Sequence, residues 1–291
     1  MDYPKEKLKI VVVDGNSKDN TVGIARKFNV QIIKLKRRGK ILQINAGIKA
    51  AKTKLVAITD ADVTLQKDIL KKALSYLTDK VIGVGGSFRV IKTDTFYARG
   101  KAEYHKQDWK ARYLESIIHS PCSLDGKFIL FDRTKIEKIS PRAYTDDLEM
   151  TIQIVKKGYR GVVALDCQGY EVMSSSLMQE INQMRRRIRL SIANAFQHVD
   201  VLFNLKYNYY GMFIFPFHRF INMLTPFFLL IIGIFLMFYY PMILLMVLLI
   251  GLLLTLINPK LRYYLILVTA TILAWIDIII GNIKRGCKWD Y

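Results

Sequence analysis

Apolar residues along this chain follow two regimes. Up to Arg219 they come as short β-branched runs between stretches of helical period. From Phe220 to Pro259, forty residues pass without an Asp, Glu, Lys, Arg or His. A helix of that length would reach about 60 Å, enough for two passes of a hydrocarbon layer about 30 Å thick. Pro241, after Tyr239 and Tyr240, marks the turn between them. Tyr263 to Ile283 is a third candidate span, interrupted by Asp277. A carboxylate there is costly unless it faces protein, water or headgroups.

The first regime alternates strand and helix patterns. Lys9 to Val13, ending at Asp14, reads as a buried parallel strand, followed by a helix over 19–28 and a second strand over 30–35. A helix over 41–52, a strand over 55–59 and a helix over 66–77 come next. Strands within 81–90, at 127–132 and at 161–165 are interleaved with helices over 94–118 and 146–157. A polar helix over 178–200 carries Arg185, Arg186, Arg187 and Arg189. Residues 201–219, rich in Tyr, Phe and Asn, suit an interfacial segment. This order describes an open α/β sheet, in which ligands gather beyond the carboxyl ends of the strands.

Composition adds a direction. The chain has 44 basic against 24 acidic residues, a formal charge of +20. Beside an apolar tail, that excess points to membrane lipids with anionic headgroups and to acidic substrates. No zinc, helix-turn-helix or RNA-platform pattern supports a specific nucleic acid. Cys122, Cys167 and Cys287 form neither a metal motif nor a disulfide framework, which fits a reducing compartment. The expected location is the cell membrane, multi-pass, with the polar region on the cytoplasmic side. One conflict stands: after three crossings Lys284, Arg285 and Lys288 fall on the side that the positive-inside bias disfavours.

Two acidic clusters sit at strand and helix ends. Asp60 and Asp62 follow the strand over 55–59, where a turn lets both approach one hard divalent cation such as Mg²⁺ or Mn²⁺. The alternative is a polar turn in which Asp62 or Thr64 caps the next helix. Asp146 and Asp147, after Thr145, open another helix. They read as a candidate general base or as helix-cap residues. Gln183 and the arginines after it could hold a diphosphate or face solvent and lipid.

In this order, ahead of an apolar tail, these motifs resemble the membrane-bound family 2 glycosyltransferases of the cellulose synthase and hyaluronan synthase type. The resemblance implies a GT-A-like α/β fold, an open mixed sheet with flanking helices, followed by interfacial and transmembrane helices. It divides the chain into a catalytic domain over 1–177, arginine-rich and interfacial helices over 178–219, and a transmembrane region of two or three spans over 220–291. By the match, Asp14 and Ser17 approach the nucleotide, and Lys40, with Asn45 and Gly47 after it, belongs to the nucleotide site. Asp60 and Asp62 handle metal, diphosphate and sugar. Asp147 matches the catalytic base, with Asp146 in place of the family's glutamate.

Gln183 and Arg186 match the glutamine and arginine of a Q-x-x-R-W motif. Arg187 takes the place of its tryptophan, on the donor side. That departure makes single-sugar transfer as reasonable as polymerisation. The family's earlier strand has no counterpart in the eight residues before Lys9, implying an open strand edge and a base pocket short of one wall.

The implied reaction is metal-dependent, inverting transfer of a hexosyl group from a nucleoside diphosphate sugar, expected as a UDP-sugar, to a lipid-linked or polysaccharide acceptor. The alternative is a catalytically defective membrane partner of a complete transferase.

Overall fold

The computed structural model describes residues 1–91, 96–172 and 176–282. The tail bearing Lys284, Arg285, Cys287 and Lys288 lies outside them, as do the first two residues of the helix expected over 94–118. The described residues divide into two compact units, Met1–Ser87 with Arg112–Gly169, and Phe88–Ala111 with those from Tyr170 to Asn282.

In the first unit, β1 (Val11–Asp14) pairs in parallel with β2 (Gln31–Lys34), the short helix α1 (Thr21–Ala25) lying between them in sequence. Val11, Val12 and Val13 are only half-buried, because this pair forms a sheet of its own. The apolar run had suggested a fully buried strand. Helix α2 (Lys40–Ala50) returns the chain to β3 (Leu55–Thr59). A five-stranded sheet then has the order β3-β6-β5-β7-β4, with β4 at Val63–Leu65, β5 at Val81–Ile91, β6 at Phe128–Asp132 and β7 at Arg160–Val172. β3 and β6 are antiparallel, Leu55 opposite Asp132 and Thr59 opposite Phe128. The turn before β6 is thereby brought to the carboxyl end of β3.

Two boundaries moved for a tertiary reason. Val63–Leu65 is drawn into the sheet as an edge strand, so α3 runs only over Ile69–Ser75 and begins from Asp68. Neither Asp62 nor Thr64 caps it. β7 extends well past Leu165 because it is paired on both sides, by β5 and β4. Helix α4 (Phe96–Ile118) separates β5 from β6, and α5 (Asp146–Lys156) packs Leu148, Ile152 and Ile154 into the core.

Asn45 holds α2 in place. Its side-chain amide donates to the Ile139 carbonyl and accepts from the Ile139 N–H, both at 2.8 Å. One side chain thus acts as a strand partner for a segment with no strand beside it.

Apart from the ends of β5 and β7, the second unit is mostly helical. α6 (Leu177–Phe196) is capped by Ser176, which accepts from the Gln179 N–H. After two short 3₁₀ turns, a π-helical segment (Tyr210–Ile221) runs directly into α7 (Asn222–Tyr239). The wider π turn accommodates Pro216, which cannot donate a backbone hydrogen bond. The second half of the stretch expected to be interfacial, from Tyr210, and the first expected span are therefore one continuous helix. A single residue, Tyr240, separates α7 from α8 (Pro241–Ile257), at the expected turn, and α9 (Pro259–Ile279) follows. Two helices among the described residues are long and apolar enough to cross a membrane: Tyr210–Tyr239, mean hydropathy 2.3, and Pro259–Ile279, mean hydropathy 1.6.

Asp277 is buried against protein. Its carboxylate receives Arg185 through Nε (2.7 Å) and Nη2 (2.5 Å), and Arg189 through Nη1 (3.1 Å). Glu180 and Lys101, both buried, pair at 3.0 Å, and the Tyr263 hydroxyl donates to Glu180 at 3.3 Å. At Gly100 a Cβ would collide with the Pro259 carbonyl oxygen, so α4 and α9 meet there backbone to backbone.

Replacing Asn45 by Ala strands the Ile139 N–H and C=O away from any partner. We expect a loss of about 2–4 kcal/mol from two unsatisfied groups, read as a lower thermal midpoint of the first unit. An unchanged midpoint would show that the Ile139 segment is held by its apolar packing instead.

Candidate functional site

The core of the site is an ammonium group between two carboxylates. Gly39, at a φ of 154° open to glycine, ends the preceding loop and places Lys40 as the first residue of α2. Lys40 Nζ lies 2.8 Å from Asp60 Oδ1 and 3.2 Å from Asp146 Oδ2. These three side chains come from the start of α2, the carboxyl end of β3 and the first turn of α5. Asp60 is fixed in turn by its backbone N–H, which donates to the Lys127 carbonyl at 3.3 Å.

Charge at this point is crowded. Burial raises the Asp60 carboxyl above its ordinary range; Lys40 opposes that, and repulsion from Asp62 and Asp125 adds to it. Asp146 is pushed up to about 6, first by burial and then by Asp147 and Asp60, against the pull of Lys40. Burial alone would depress the Lys40 ammonium, but Asp146, Asp60 and Asp147 hold it well above its ordinary value. Asp146 Oδ2 sits near Lys40 yet takes no aligned hydrogen bond. Gly126 backs the cluster: a Cβ there would fall 2.8 Å from Asp146 Oδ2 and 3.2 Å from Lys40 Nζ.

Asp125 and Gly126 were not singled out from the sequence. The register of β3 on β6 brings them beside Asp60, and an Asp-Gly pair ahead of a strand reads locally as an ordinary turn. Burial pushes the Asp125 carboxyl up, but Lys127 and Arg112 outweigh it and hold the group below its usual range. Lys127 reaches it at 3.2 Å.

Asp147 is half-buried, and its Oδ1 accepts from the Leu148 N–H at 2.8 Å. Thr145 precedes the helix, but its hydroxyl makes no capping bond to it. Asp62 is exposed in the turn between β3 and β4. Asp14, buried at the end of β1, accepts from the Ser17 N–H at 3.2 Å, so its carboxylate shapes the loop in which Ser17 is exposed. Asn45, read with the nucleotide motif, spends its side chain on Ile139. Gln183, Arg186 and Arg187 lie on α6 in the second unit, Arg186 half-buried and the other two exposed. Arg185 and Arg189 are engaged by Asp277.

The donor set suits a hard divalent cation. Carboxylate oxygens dominate, and more negative charge is gathered around Asp60 than Lys40 balances. Among the described residues no three acidic, His or Cys side chains converge as a ready ligand set. A cation here would therefore take part of its shell from a bound diphosphate, with Asp60 and Asp62 holding it.

The family model described as Glycosyl transferase family 2 matches residues 1–139. An uncharacterized glycosyltransferase of Mycobacterium bovis is 35% identical over 161 residues, 54% of this chain and 72% of that protein. Probable glycosyltransferase YdaM of Bacillus subtilis is 28% identical over 173 residues, 54% of this chain and 41% of its own length. Beta-monoglucosyldiacylglycerol synthase of Synechocystis is 25% identical over 167 residues, 53% of this chain and 35% of its own length. The matched region thus spans less than half of these last two relatives. Among solved structures, a mannosyltransferase from Pyrobaculum calidifontis in complex with GDP-Man and Mn²⁺ superposes with a TM-score of 0.78 at 20% identity. The match covers 96% of this chain and 79% of that one. The fold is GT-A-like, and the chain belongs to glycosyltransferase family 2.

Proposed function

We propose that this chain is a membrane-associated transferase that moves a sugar, with inversion, from a nucleoside diphosphate sugar to a lipid-linked or glycan acceptor, with a divalent cation bound. The observation that carries this reading is the Lys40, Asp60 and Asp146 cluster at the carboxyl end of β3, with Asp147 beside it on α5. Membrane association rests on the apolar helices of the second unit. The Synechocystis relative, named for a glucosyl lipid product, agrees with it.

In this reading Asp147 accepts the proton of the acceptor hydroxyl, whose oxygen attacks the anomeric carbon in line with the departing diphosphate. The bond to the diphosphate breaks as the new glycosidic bond forms, so the configuration inverts. Lys40 donates to a donor phosphate oxygen and offsets its charge. When bound, Mg²⁺ or Mn²⁺ supplies further charge neutralisation on the diphosphate. Asp14 and Ser17 are assigned to the nucleotide, and Gln183, Arg186 and Arg187 to the diphosphate and sugar, by the motifs they match. The donor base stays open between the UDP expected from the resemblance and the GDP found with the Pyrobaculum neighbour.

A second reading, an inactive partner of a complete transferase, draws on the separation of the β1–β2 pair from the five-stranded sheet. A panel of UDP- and GDP-sugars with Mg²⁺ or Mn²⁺, using vesicle-embedded protein and lipid acceptors, tests both. Product formation supports transfer. Absence of donor binding, with co-purification of a second transferase, supports the partner.

Asp147→Asn should lower transfer by about 10²–10⁴-fold, the usual scale for a lost general base, without changing membrane insertion. Activity within twofold of the parent would remove Asp147 from that role. Asp62→Ala should weaken metal-dependent donor binding, read by titration calorimetry with and without Mn²⁺; equal affinity in both proteins would exclude it.

Asp146 gives a pH prediction. Its folded carboxyl holds a proton up to about 6, above the ordinary 3.8. Its favourable contribution to folding is therefore fully present below about 3.8 and lost as the pH rises through about 6. In metal-free protein the thermal midpoint should climb as the pH falls from 7 to 5, and Asp146→Asn should flatten that slope. Equal slopes in the two proteins would contradict the assignment.

A further inference from the structure

The path of α9 through the second unit conflicts with its role as a third membrane crossing. α9 starts two residues after α8 ends, so its first turn lies at the end of α8 remote from Tyr240. Trp275 is sixteen residues further on, about 24 Å along a helix. A third crossing beside α7 and α8 would bring Trp275 level with the turn at Tyr240. Instead its indole N–H donates to the Met223 carbonyl at 2.9 Å, and its ring packs edge-on against Phe227 at 5.4 Å. Both residues belong to the first turns of α7, about 24 Å along the helix from Tyr240. α9 therefore starts and ends at points of the α7–α8 pair that are both remote from Tyr240, instead of running back to that turn.

The neighbour of α9 points the same way. α6 accompanies it from Tyr263, bonded to Glu180, to Asp277, bonded to Arg185 and Arg189. That is fourteen residues of α9, about 21 Å. Along this length α6 exposes Asn182, Gln183 and Arg187. Driving α9 through hydrocarbon would drag that polar face with it. α9 is also one-third buried over its most apolar window, against 6% for Tyr210–Tyr239. Its buried stripe includes Tyr263, Ile266, Ala270, Ala274 and Asp277. Its outer face exposes Leu265, Ile272, Ile276 and Ile279. One-sided apolar exposure suits a helix lying in an interface; α8, with no buried residue, suits surroundings apolar on every side.

We propose that α9 is a monotopic helix, lying along the surface of a phospholipid bilayer with Leu265, Ile272, Ile276 and Ile279 in the acyl boundary and α6 on its other side. The membrane is then entered only by the α7–α8 pair, and the chain leaves α9 on the side from which α7 entered. The conflict with the positive-inside bias, which followed from counting a third crossing, then does not arise.

This inference rests on the membrane association proposed above, and the test separates the two. Full-length protein would keep the buried Cys122 and Cys167, lose Cys287, and carry single reporters at Leu205→Cys, before α7, or Ile280→Cys, after α9. Both native positions are exposed. In sealed vesicles of known orientation, a membrane-impermeant maleimide should label both from the same side. Labelling from opposite sides would overturn the proposal. Nitroxide lipids give a second measurement on Leu265→Cys, Ile272→Cys and Ile279→Cys. A surface helix places all three at similar, shallow depth, whereas Ile272→Cys at the bilayer centre with the others shallow would mark a crossing and defeat the idea. Release of the protein from vesicles by alkaline carbonate would instead overturn the membrane association itself, and this inference with it.

Discussion

One ammonium group has to balance a site crowded with carboxylates, and much of the first unit is arranged around that constraint. Lys40 is brought to Asp60 and Asp146 by three separate devices. The glycine before α2 places it on the first turn, the Asn45 clip to Ile139 anchors the helix, and the missing side chain at Gly126 leaves room beside the ion pairs. Burial makes each charge expensive in isolation, so none of the three is independent of the others. Burial and mutual repulsion keep the Asp60 and Asp146 carboxyls above their ordinary range even with Lys40 between them.

The second unit solves a related problem with different means. Glu180 and Asp277 are buried in helical surroundings, and each is met by a charge: Lys101 for the first, Arg185 and Arg189 for the second. The arginines serve two purposes on one helix. Arg185 and Arg189, four residues apart, share the face turned to α9, while Arg187 is exposed. The helix is thereby indexed along α9 by the Tyr263 hydrogen bond to Glu180 at one end and by the ion pairs of Arg185 and Arg189 with Asp277 at the other, with Met184 and the small residues Ala270 and Ala274 between them. The charge in an otherwise apolar segment, which read as an obstacle to crossing a bilayer, is a protein–protein contact.

Much of the strand and helix order was legible in the chain, for local reasons. β-branched runs ending in Asp, a helix opened by Thr145-Asp146, and the Tyr240-Pro241 break each act within a few residues. Asp60, Asp62, Asp146 and Asp147 were legible as candidates because acidic pairs at element ends are local patterns; Lys40, outside the helix expected over 41–52, entered only through the family resemblance. β4 was not, since three residues have no periodicity and become a strand only by pairing with β7. Asp125 and Gly126 were not either, because their significance depends on Thr59 lying opposite Phe128.

The sequence by itself determined the architecture: an α/β unit with acidic clusters at element ends, followed by helices of which two among the described residues are long and apolar enough to cross a membrane. Period, charge and turn chemistry are properties of neighbouring residues and need no partner to be read. Only the tertiary structure decided which charges meet. It joined Lys40 to Asp146 across more than a hundred residues and gave Arg185 to Asp277 rather than to solvent. It also set Trp275 against the start of α7. These are long-range pairings, fixed by strand register and helix packing, and no spacing along the chain encodes them.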